Sequence, residues 1–164
     1  MHKDFVHIYN LIQELSWHFG AHGINGECCG DLSLVEYMAL KRINDAENIT
    51  VQEVGHALNF TKSGASKIID RLENKGYVKR EISSIDGRVC CVNTTAKGAE
   101  TALEIVQRYS NYVSEMLKAQ DAAMVENVKT VLEILVDSAH RQENLLKGKF
   151  PQGGGGMSVF SMDK

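Results

Sequence analysis

The stretch "LNFTKSGASKIIDRLENKGYVKREISSIDGRVCCVNTTAKG", residues 58–98, carries three consecutive signals. Ala65, Ile68, Ile69 and Leu72 recur at i, i+3, i+4 and i+7, the spacing of one buried helical face. Ser63, Ser66, Lys67, Asp70, Arg71 and Asn74 fall mostly on the other faces, and Gly76 is the expected stop. "YVKREI" alternates, "SSIDG" is a turn and "RVCCVN" can pair back, so a β-hairpin follows the helix. Thr95 then caps a long helix with the apolar stripe Ala102, Ile105, Val106, Tyr109, Val113 and Met116.

Upstream, "SLVE" (33–36) and "TVQE" (50–53) are both capping boxes, in which a hydroxyl and a carboxylate reciprocally satisfy free amides. They open helices running to about Asn44 and about Leu58. An earlier helix over 4–19 places Phe5, Ile8, Tyr9, Ile12, Leu15 and Phe19 on one stripe. Asp121 can cap a last helix carrying Val125, Val128, Leu132, Leu135 and Ala139. The tail from Phe150, with Pro151 and four consecutive glycines, has no packing pattern and is expected to be mobile.

Four helices, a hairpin and two helices make a mainly α chain with a small β-hairpin wing. A short helix, a tight turn, a basic-faced helix and a hairpin are the parts of a winged helix-turn-helix. Such a recognition helix enters the major groove by its N-terminal end. Thr61, Lys62, Ser63, Ser66 and Lys67 lie there, where hydroxyls and ammonium groups can meet base edges and phosphates. Arg71 extends the candidate surface, and Arg88, just past the hairpin turn, can reach a phosphate or the minor groove. The plainer alternative is an interaction module whose basic face is merely solvated.

Charge distribution favours the nucleic-acid reading. The 164 residues sum to −3, but residues 61–90 hold seven basic groups against four acidic ones, leaving −6 elsewhere. A locally basic segment on an acidic body suits a protein that touches phosphate with one face. No apolar run approaches the ~18 residues needed to span a bilayer, and "MHKDFVHIYN" lacks a signal peptide's apolar stretch. A cytoplasmic location is expected, with the four cysteines reduced. No phosphate-binding glycine loop follows a strand and no serine–histidine–acid arrangement can be assigned, so an enzyme is not expected.

The segments "TKSGASKIIDRLENKGYVKR", "DGR" (86–88) and "TTAKG" (94–98) resemble the MarR family of transcriptional regulators, and flanking helices extend the likeness over about residues 4–147. Thr94 departs from it, standing where the family usually has leucine. The resemblance implies a homodimer reading a pseudo-palindromic operator in double-stranded DNA, with half-sites about 34 Å apart. It implies dimerisation elements at 1–27 and 99–149 and a DNA-binding region at 28–98, while the flexible tail at 150–164 is read from its composition and is not a feature of the family. It further implies that Arg88 contacts DNA while Asp86 orients a nearby arginine, although a salt bridge that stiffens the wing would explain Asp86 equally well. A repressor released by a small effector, a metal or a thiol-reactive signal is the family's usual form.

Two adjacent cysteine pairs are candidates for that input. On a regular strand Cys90 and Cys91 point to opposite faces, so they suit packing better than shared ligation. Cys28 and Cys29 sit in a loop with no such alternation, with His18 and His22 before it and Glu36 after it. Imidazole, thiolate and carboxylate suit zinc, and two close thiolates suit a thiophilic ion. Each has a plainer explanation: capping for Glu36, an exposed helix end for the histidines, chance for a loop cysteine.

Overall fold

The computed structural model describes residues 3–20, 29–46, 48–82 and 89–149. His22, Cys28, Asp86 and Arg88, together with the hairpin turn and the 150–164 tail, lie outside the described residues.

Among the described residues are six helices and three short strands, with the helices and the hairpin in the expected order. They are α1 (Lys3–Gly20), α2 (Leu34–Asn44), β1 (Ile49–Thr50), α3 (Val51–Ala57), α4 (Lys62–Asn74), β2 (Val78–Ile82), β3 (Cys90–Thr94), α5 (Ala96–Leu117) and α6 (Ala122–Lys149). Both capping boxes form. Ser33 Oγ accepts the Glu36 amide while Glu36 accepts the Ser33 amide, and Thr50 and Glu53 repeat the exchange. Thr61 caps α4 by accepting the Gly64 amide at 3.2 Å, and Asp121 caps α6 by accepting that of Met124 at 2.8 Å.

The hairpin is joined by a third strand that the sequence did not suggest. β1 pairs antiparallel with β3, Ile49 opposite Val92 and Thr50 opposite Cys91, giving the sheet order β1-β3-β2. Asn48 and Asn93 fasten the edge, each side chain bonding the other residue. Two residues are too few to show alternation, and Thr50 is already the cap of α3.

The chain forms two compact units, residues 1–112 and 113–164. In the first, the core is built from Leu32, Leu40, Ile43, Val54, Ile69, Leu72, Val78 and Val92, all almost fully buried, with Ala102 and Ile105 of α5 packed on it. The expected α4 face, Ala65, Ile68, Ile69 and Leu72, is buried as a set. Gly76 ends α4 with φ +78°, in the left-handed region that glycine enters at little cost.

The expected stripe of α1 behaves differently. No residue of α1 is buried within the one chain, and in its last turn Phe19 makes ring contacts with Tyr109 and Tyr112 at about 6 Å. In the second unit, Val113, Leu117, Val125, Val128, Leu132 and Val136 line an apolar groove of about 450 Å³, and Leu132 and Leu135 remain exposed.

Candidate nucleic-acid interface

The surface of α4 opposite its core face carries the expected polar residues. Lys62, Ser63 and Lys67 are exposed and Ser66 half-buried, all in the first two turns. Thr61 is also exposed, but its hydroxyl is the helix cap and lies 3.2 Å from Ser63 Oγ, so it orients the helix start before it can reach a base.

The cations of the basic segment divide into two groups. Arg71 Nε pairs with Glu36 Oε1 at 3.0 Å and Lys75 Nζ with Glu36 Oε2 at 3.1 Å. Lys79 pairs with Glu81, and Arg80 on β2 spans Asp70 and Glu73 on α4. Among the described residues of 61–90, Lys62 and Lys67 are the cations outside any such ion pair. Positive charge outside these ion pairs is therefore concentrated at the N-terminal end of α4, where the helix dipole adds to it.

Local fields explain how these groups are held. Burial alone would push the Glu36 carboxyl up, but the Ser33 amide and the Lys75 ammonium outweigh it and hold the group below the usual carboxylate range. Burial lowers the Arg80 guanidinium's affinity for its proton, yet the carboxylates of Asp70 and Glu73 more than restore it. Tyr77 is pushed up to about 12, first by burial and then by its hydrogen bond to Asp31 Oδ1 at 2.6 Å. Lys97 stacks its ammonium 4.4 Å from the Tyr77 ring centre and donates to the Lys75 carbonyl.

The candidate metal or redox residues are not gathered by the described part of the fold. Cys29 is 2% exposed and belongs to the core, and His18 is exposed in the last turn of α1. Both Glu36 oxygens are already engaged, so a metal there would compete with two cations within about 3 Å. Among the described residues no three His, Cys, Asp or Glu side chains converge on a point that could hold an ion. Cys91 is buried and Cys90 exposed, the opposed orientation that strand alternation predicts.

The MarR family model matches residues 30–89, from the loop before α2 to the start of β3. Over that stretch the chain is similar to the MarR family. Relatives include the transcriptional repressor MprA of Escherichia coli K12, 26% identical over 87% of this chain and 84% of MprA. The transcriptional regulator PapX of Escherichia coli is 28% identical over 60% of this chain, and the match spans 56% of PapX, little more than half its length. Among solved structures, wild-type apo MarR from Escherichia coli superposes with a TM-score of 0.62 at 21% identity, covering 79% of this chain and 94% of that one. That likeness supports the MarR fold, helices flanking a winged helix-turn-helix. Among the described residues, no helix is long and apolar enough to cross a membrane.

Proposed function

We propose that this chain is a sequence-specific DNA-binding transcriptional regulator of the MarR type, acting in the cytoplasm as a homodimeric repressor. The observation that carries the reading is the N-terminal half of α4. It presents Lys62, Ser63, Ser66 and Lys67 outward, with neither lysine ion-paired among the described residues, while the opposite face is locked into the core. Phosphate contacts from the lysines would fix register, and the hydroxyls would read base edges. Repression is supported by the name of MprA. The proposed operator is pseudo-palindromic duplex DNA, with Arg88 contacting it and Asp86 orienting a nearby arginine, and release follows a small effector, a metal or a thiol-reactive signal.

The test is binding to duplex DNA from the chain's own upstream region, titrated across salt concentrations. Wild type should bind with a steep salt dependence. Lys67→Ala should weaken binding and flatten the slope by about 0.9 for each phosphate left without its cation, with an unchanged melting temperature. A wild type that prefers no fragment over bulk DNA at moderate salt would instead favour a protein-interaction module. Adding zinc, a thiophilic metal or mild peroxide, with Cys28→Ser as control, separates thiol-dependent release from an organic effector.

A further inference from the structure

One carboxylate ties the C-terminal half of α4 to the start of α2. The Glu36 side chain is 6% exposed and saturated, taking Arg71 Nε on one oxygen and Lys75 Nζ with the Ser33 amide on the other. Its two cationic partners differ. Lys75 is less exposed and also donates to the Asp31 carbonyl, so it is committed within the fold. Arg71 keeps 57% of its side-chain surface in solvent, and the ion pair engages it through Nε. Its terminal amino groups carry most of the guanidinium's donors.

We propose that Glu36 is a positioning residue for DNA binding: by gripping Arg71 through Nε, it presents the terminal amino groups of that guanidinium to a backbone phosphate. The proposal rests on the DNA-binding reading above. Arg71 lies one helical turn beyond Lys67 on the same exposed face, so a phosphate path that meets Lys67 can continue to it. A long side chain free in solvent loses rotamer freedom on binding, whereas one already held loses less. The carboxylate's own repulsion toward phosphate is offset locally, because Glu36, Arg71 and Lys75 together leave a net positive charge. Glu36 thus acts through Arg71 and touches no nucleotide.

The experiment is a double-mutant cycle on the full chain, read as DNA affinity and salt slope, with thermal melting as the control for folding. Arg71→Met and Glu36→Gln should each weaken binding about tenfold and flatten the salt slope, by about 0.9 per phosphate left without its cation. Glu36→Gln should add nothing in the Arg71→Met background. Arg71→Lys provides the second check, since it keeps charge and pairing but has no second amino group to offer a phosphate; it should bind nearly as weakly as Arg71→Met. A silent Arg71→Met, full affinity in Arg71→Lys, or additive losses in the cycle would each overturn the proposal. If Lys67→Ala weakens binding while the Arg71 variants do not, DNA recognition stands and this inference alone fails; no salt-sensitive binding by wild type sinks both.

Discussion

A β-carbon on Gly98 would lie 2.0 Å from the carbonyl oxygen of Tyr77, a backbone atom with no room to yield. The first turn of α5 is pressed onto the residue joining the recognition helix to the wing, and Gly98 has no side chain because that approach leaves no space. Gly98→Ala should therefore destabilise the protein by more than about 3 kcal/mol, the upper range for overpacking, with denaturant unfolding as the measurement. The motif "TTAKG" placed this glycine at the helix start, but sequence could not say what it touches, because Tyr77 lies twenty-one residues earlier. Glu36 teaches the same lesson in reverse. Its capping role was legible from three residues of spacing, whereas its ion pairs to Arg71 and Lys75 depend on how α2 meets α4. Cys90 and Cys91 were readable because a strand forces alternation; Cys29 was not, since a loop assigns no face.

At the level of elements, local devices were the legible part. The capping boxes, the four-residue core face of α4 and the Gly76 stop all act within a turn or two of chain. What binds one element to the next was hidden. Arg80 braces β2 against α4, donating its backbone amide to Glu73 at 3.0 Å and its guanidinium to Asp70 at 2.5 Å. Along the chain, Arg80 counted as one more positive charge for phosphate. In the fold it neutralises two carboxylates that would otherwise repel DNA beside the recognition face. Arg80→Met should consequently weaken DNA binding despite the limited exposure of Arg80 itself, and adding Asp70→Asn and Glu73→Gln should recover part of the loss. Affinity measured at fixed salt across the three backgrounds decides it; an unchanged affinity in Arg80→Met would show that the two carboxylates lie off the DNA path.

For the whole molecule, the helical stripes at both ends of the chain were legible as periodicity but not as burial. Ile8, Ile12 and Leu15 on α1 and Leu132 and Leu135 on α6 stay substantially exposed in the single chain, although they lie on the apolar stripes that a surface helix ordinarily turns toward a core or a partner. A second copy would cover them, as the proposed homodimer requires. Leu132→Asp should yield a monomer by sedimentation, with a salt slope roughly half that of wild type because only one recognition helix engages; a dimer that persists would place the interface elsewhere. The junction around Thr95 has one more consequence. Its hydroxyl lies within hydrogen-bond distance of the Gly76 carbonyl and the Gly98 amide, so the end of α4 and the start of α5 share a single cap. A dissection of the chain at that point would therefore leave raw ends on both sides of the cut, and the smallest excised piece able to stand by itself has to carry α5 at least through Ile105, the last α5 residue buried in the core.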